Sequence, residues 1–122
     1  MFRIVRPKLC AHAHFTVQPE PEKNIRIATS TQILGPYSSA SEPITGDYWA
    51  EGPTVIKINN KWHVYFDKYQ LHQYGLLVSK NLNDWIDFSD DLELPAGIRH
   101  GTAFKVNERV LHKLLHLHFN NP

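Results

Sequence analysis

The chain has 122 residues, 42% of them apolar and 11% aromatic, with 13 basic and 12 acidic side chains for a formal charge of +1. This length fits one domain with a real core, and the apolar content excludes disorder as the default. The near-balance of charge offers no global field for nucleic acid or an anionic membrane, and no apolar run reaches the length of a membrane span. The single Cys10 excludes an internal disulfide framework and a cysteine-based zinc site, and eight prolines argue against a helical bundle.

Met1 to Phe15 are basic at Arg3, Arg6 and Lys8 but lack the apolar stretch of a secretory leader, which leaves a cytoplasmic location as the default expectation. Phe2, Ile4 and Val5 could form a short strand. The polar segment Gln18-Pro19-Glu20-Pro21-Glu22 reads as extended linker. Residues 1–23 are therefore expected to be a tail and linker, with the short strand as the alternative.

Strand signals dominate from there. Pro53 to Ile58 and Lys61 to Phe66 are β-rich runs joined by Asn59-Asn60, a pair that tolerates positive φ and suits a two-residue hairpin turn. Trp62, Val64 and Phe66 alternate with Lys61, His63 and Tyr65, which predicts one buried and one wetter face. Gln73 to Ser79 reads as a third strand and Trp85 to Phe88 as a short fourth. Trp62 and Trp85 are expected in the core.

At the far end, Asn107 is placed to cap a helix carrying an apolar stripe of Val110, Leu111, Leu114 and Leu115. His112 and His116 are four residues apart and could hold a metal on one helix face. The plainer reading is histidines placed favourably near a helix C-terminus. Residues 107–122 are expected to be this helix and a tail.

The middle also repeats. Ile25 to Ser30, then Leu34-Gly35-Pro36-Tyr37, matches Tyr74 to Ser79, then Leu82-Asn83-Asp84-Trp85. Ser30 and Ser79 stand 49 residues apart, and Tyr37 and Trp85 stand 48 apart. A period of about 40–50 residues with four short strands each is the signature of propeller blades, which bury their faces only against neighbouring blades. The expected fold is all-β. It comprises about two antiparallel four-stranded propeller blades over residues 24–106, with a short C-terminal helix. Such a unit leaves flanks for a second copy or for further blades.

Gly35-Pro36-Tyr37, Glu51-Gly52-Pro53, Tyr65-Phe66-Asp67-Lys68-Tyr69, Tyr74-Gly75, Ser79 to Trp85 and Arg99-His100-Gly101-Thr102 together resemble the later blades of glycoside hydrolase family 43. That family includes β-xylosidases and α-arabinofuranosidases on a five-bladed propeller. The resemblance implies carbohydrate partners of the plant cell-wall type, xylan or arabinan glycosides; the charge balance and the lack of an apolar span already argue for no nucleic acid and no membrane.

By the same resemblance Glu51 would be the general acid of an inverting glycosidase. It must hold its proton near neutral pH, a state that walls from Tyr48 and Trp49 would favour by desolvation. Arg99 would reach the sugar, and Trp49 or Tyr48 would stack beneath its ring. His100 would lie on the propeller axis, where many members hold a calcium ion or a water. No cofactor is otherwise required.

The family's general base and its second Asp belong to earlier blades, and residues 1–23 cannot supply them. An inverting pair needs carboxyls roughly 6.5–9.5 Å apart. Asp47 matches no catalytic position, and Asp67 reads as a strand-end cap or a substrate contact. The resulting expectation is a truncated or split family 43-like hydrolase, inactive alone. The alternatives are a non-catalytic carbohydrate-binding or interaction module, or a β-rich assembly domain.

Overall fold

The computed structural model describes residues 2–5, 23–95 and 97–119, with side-chain surroundings given for 23–95 and 97–116. The strands are β1 (Phe2–Val5), β2 (Arg26–Thr29), β3 (Glu51–Ile58), β4 (Lys61–Lys68), β5 (Gln73–Ser79) and β6 (Ile86–Asp87); one helix, α1 (Glu108–Phe119), follows them. They form two antiparallel sheets, β1-β2 and β3-β4-β5-β6. The all-β reading with a short C-terminal helix therefore holds. Phe2 to Val5 form a strand, and residues 6–22 of the expected linker lie outside the described residues.

The hairpin turn forms where the asparagines predict it. Asn59 and Asn60 have φ of 47° and 60°, the left-handed pair that matches the twist of flanking strands. Asn59→Ala is expected to lose about 1–2 kcal/mol of stability, because a β-carbon is strained there, while Asn59→Gly stays near the parent. Urea midpoints of the two variants would check this.

Toward the other end of the hairpin the register shifts. Thr54 pairs with Tyr65, but Glu51 pairs with Asp67, so Gly52 and Pro53 together oppose Phe66. Gly52 takes φ of +59° in this bulge. The bulge sets Glu51 directly across from Asp67.

The repeat has a hydrogen-bonding counterpart. The Ser30 hydroxyl accepts from the Gln32 N–H, and the Ser79 hydroxyl accepts from Asn81 and Leu82. After each turn the aromatic ties back to a nearby carbonyl: Tyr37 Oη donates to Ile33, and Trp85 Nε1 donates to Leu82. The chain then returns beside its strand. A serine hydroxyl accepts a strand N–H in both places, Ser38 from Thr29 and Ser89 from Leu76.

The first unit nevertheless differs from the expected four strands. Beyond β2 the chain runs alongside as an irregular strip, whose N–H groups at Ser38, Ser41 and Ile44 donate to Thr29, Ile27 and Ile25. The hydroxyls of Ser38, Ser41 and Thr45 accept the strand's own N–H groups. Hydroxyls thus take the acceptor role that carbonyls have in a ladder. Pro36 and Pro43 have no N–H to donate, which keeps this strip from becoming a regular strand.

The two units share one core. Val64 and Phe66 of β4 and Leu77 of β5 meet Ile25 and Ala50, with Ile44, Tyr48, Val55 and Trp85 packed around them. Trp85 is thus on the core as expected. Trp62 is half-buried, with the Lys57 ammonium 4.8 Å from its ring centre.

A charged lock closes one edge. Lys68, buried at the end of β4, has its ammonium 4.5 Å from the Tyr48 ring centre and 3.5 Å from Asp87. Burial alone would push the Asp87 carboxyl up, but the Ser89 hydroxyl and N–H and the Lys68 ammonium outweigh it and hold it below the ordinary value. Its contribution to stability is therefore fully present above the unfolded pKa of about 3.9 and lost as pH falls through the lower folded value. Asp87→Asn should flatten this part of the acid-side stability profile, measured as urea midpoints between neutral pH and pH 3.

The helix starts as predicted, with Asn107 Oδ1 accepting from the Val110 N–H at 2.9 Å. Its apolar stripe stays uncovered, with Val110, Leu111, Leu114 and Leu115 between 36% and 49% exposed. No described helix is long and apolar enough to cross a membrane.

Candidate functional site

Three of the sequence-derived candidates, Glu51, Arg99 and His100, meet at the start of β3. Glu51 opens β3 with its side chain mostly buried, and Asp67 lies across from it on β4, only 2% exposed. Arg99 and His100 arrive from a segment more than thirty residues further along. Arg99 Nε donates to Asp67 Oδ2 at 3.0 Å. His100 Nε2 stands 3.4 Å from Glu51 Oε1 and 3.6 Å from Asp67 Oδ2. One imidazole thus sits between two carboxylates.

The segment carrying Arg99 and His100 is strapped onto the sheet at three points. Arg99 holds Asp67, the Gly101 N–H donates to the Tyr74 hydroxyl at 2.9 Å, and the Ala103 N–H donates to Thr54 Oγ1 at 3.2 Å. His100 adopts φ of 51°, and its ring lies where a β-carbon on Gly52 would be, 2.5 Å from Nδ1. Glycine at position 52 therefore serves both the bulge and the imidazole.

The fourth candidate, Trp49, lies beside this cluster. The Lys23 ammonium is 4.4 Å from the Tyr69 ring centre, 5.2 Å from the Trp49 ring centre and 3.5 Å from Glu51 Oε2. The rings of Trp49 and Tyr69 are 5.7 Å apart and tilted by 57°. Contact with Tyr69, and after it the Glu51 carboxylate, holds Lys23 above the ordinary lysine value against an opposing pull from desolvation. Lys23, placed by sequence at the end of the linker, is part of this folded site, and its carbonyl accepts from the Ala50 N–H.

Tyr48 lies apart from this cluster. Its ring stacks on Phe66 at 6.1 Å and 2°, and its hydroxyl reaches Asp87. Burial raises the Tyr48 phenol above its ordinary value. The Tyr48 ring thus serves the core. His112 and His116 stand exposed on α1.

Glu51, Asp67 and His100 each offer a ligand atom within 4.8 Å of the others. The two carboxylates already have cationic partners, Lys23 and Arg99. Calcium takes six to eight oxygen ligands, and here one of three donors is an imidazole nitrogen. The set fits a direct calcium ion poorly. It is instead a cluster of hydrogen-bond donors and acceptors, its two carboxylates each facing a cation, beside the rings of Trp49 and Tyr69.

Sequence reading singled out Glu51, Arg99 and His100 but gave Asp67 a minor role and did not consider Lys23. No protein-family model matches the chain, and neither does any curated protein or solved structure. The family resemblance thus rests on its motif residues.

Proposed function

We propose that this chain is the acid-bearing part of a family 43-like glycoside hydrolase acting on xylan- or arabinan-type glycosides, with its two repeat units as propeller blades. One observation carries the reading. The motif residues Glu51, Arg99 and His100, distant in sequence, meet at the edge of one sheet, on the anchor Asp67. The shared serine and aromatic hydrogen bonds of the two units support the blades, with β2 and β5 in equivalent places.

In this reading Glu51 protonates the leaving glycosidic oxygen. Arg99 donates to sugar hydroxyls through its terminal nitrogens, while Trp49 and Tyr69 form an aromatic wall. The base that activates water comes from a further blade or another copy. Asp67 does not fill that role: its donor atom lies within 4.8 Å of Glu51's, it is buried, and Arg99 holds it. An inverting pair needs roughly 6.5–9.5 Å.

That same geometry favours a second reading, a carbohydrate-binding module that does not hydrolyse. Titration of the chain with xylobiose and arabinobiose, followed by tryptophan fluorescence, tests both. Binding is expected to survive Glu51→Gln and to fall about tenfold or more in Arg99→Ala. Hydrolysis that requires Glu51, once further blades are supplied, selects the enzyme; binding without it selects the module. No affinity for either sugar overturns both and leaves a β-rich assembly domain.

A further inference from the structure

We infer that Asp67 is the positioning residue of this site, and that its charge makes Arg99 a donor for neutral hydroxyls rather than a receptor for anions. The inference rests on the carbohydrate reading above. Asp67 is the one site group fixed by regular structure and almost wholly enclosed, at 2% exposed on β4. Arg99 and His100 are about half exposed and lie outside any strand or helix, and the backbone ties of their segment, at Gly101 and Ala103, fall after them.

Asp67 engages Arg99 through Nε alone. Among the described residues no hydrogen bond involves the two terminal nitrogens. They carry four N–H groups in a fixed plane, aimed by the Nε bond. Locking Nε removes rotational freedom that a ligand would otherwise have to freeze, which is preorganisation.

The charge argument adds selectivity. A bare guanidinium attracts carboxylates and phosphates strongly. Here Arg99 faces Asp67, and Lys23 faces Glu51, so each cation has its anion within 3.5 Å. The N–H groups remain while the net field is cancelled. A neutral sugar gains those hydrogen bonds, and a uronate gains little further Coulomb attraction. Removing the Asp67 charge while keeping its shape should reverse that preference.

The experiment uses the full chain with Asp67→Asn, probed by arabinobiose and by galacturonate, together with the Arg99 Nε–H signal in nitrogen-correlated NMR. The signal is assigned by its loss in Arg99→Lys. In the parent, the Arg99 Nε–H is expected to exchange with water at least about tenfold more slowly than that of Arg109, exposed on α1. In Asp67→Asn this protection falls, arabinobiose binding weakens by about tenfold, and galacturonate binding strengthens in a salt-sensitive way.

Equal weakening for both sugars would make Asp67 merely structural and overturn the selectivity claim. An unprotected Arg99 Nε–H in the parent overturns the positioning claim, and this comparison needs no variant, so it decides even if Asp67→Asn fails to fold. A parent that binds neither sugar removes the carbohydrate reading and the selectivity claim with it, while the Nε–H comparison still decides whether Asp67 fixes Arg99.

Discussion

Gly75→Ala is expected to destabilise the chain by more than about 3 kcal/mol, a large share of the roughly 5–15 kcal/mol that holds a domain together. A β-carbon at position 75 would lie within 2.8 Å of three atoms of the Phe66 ring. Phe66 is fully buried and cannot yield into solvent. It is the cross-strand partner of Gly75, and it also stacks on Tyr48 and contributes to the core shared by both units. The glycine therefore acts as a socket for the largest fully buried side chain. Urea unfolding checks this, with the midpoint expected to fall by about 1–3 M. Phe66→Leu in the same chain should recover part of the loss, since the smaller side chain makes room for the methyl group. A near-parental midpoint for Gly75→Ala alone would mean that Phe66 does not occupy this socket.

The second unit was largely legible in the sequence because its signals are local. Asn59-Asn60 specify a turn by their own tolerance of positive φ, and alternation along Trp62 to Phe66 identifies a buried face without knowledge of any partner. The third strand, Gln73–Ser79, is bounded by a left-handed His72 on one side and the Ser79 turn on the other. The first unit was less legible because its pairing depends on hydroxyls. Ser38, Ser41 and Thr45 look like loop residues in sequence, and only the structure shows them accepting from the N–H groups of Thr29, Ile27 and Ile25. The repeat of Ser30 and Ser79 was visible as letters; the shared hydroxyl-to-N–H bonds are its physical content.

The site was half legible. Glu51, Arg99 and His100 stood out by motif, but motif says nothing about which side chain anchors them. Counting outward from the Asn59-Asn60 turn in a regular hairpin, Glu51 would face Lys68. The bulge at Gly52 and Pro53 moves the register by one residue and brings Asp67 there instead. A one-residue change exchanges the two faces of a strand, so it decides whether Glu51 meets a carboxylate or an ammonium. Lys23 was missed for a different reason: it follows a proline-rich segment, and its partners Tyr69 and Trp49 come from two separate loops. Gly52-Pro53 was the available signal, because glycine followed by proline within a strand marks a break in the ladder.

Gly52 leads to the second large effect, which falls on the site rather than on the fold. Gly52→Ala is expected to expel His100 from between Glu51 and Asp67. The added β-carbon would lie 2.5 Å from His100 Nδ1, and φ of +59° adds strain of about 1–2 kcal/mol. The outcome should differ from Gly75→Ala because the obstructing group differs. Phe66 is enclosed, whereas the His100 side chain is about half exposed and can swing into solvent. The fold should therefore survive with a modest loss, while the imidazole leaves its carboxylates. The His100 Cε1–H resonance reports this directly, moving in Gly52→Ala toward the position of an exposed histidine such as His116. If His100 contributes to ligand binding, Gly52→Ala and His100→Ala should weaken arabinobiose to a similar degree, and the double variant should be little worse than either. Additive losses would mean that the glycine meets the sugar independently of the imidazole. An unmoved resonance in a folded Gly52→Ala would place His100 away from Gly52 and dissolve the cluster on which the site is built.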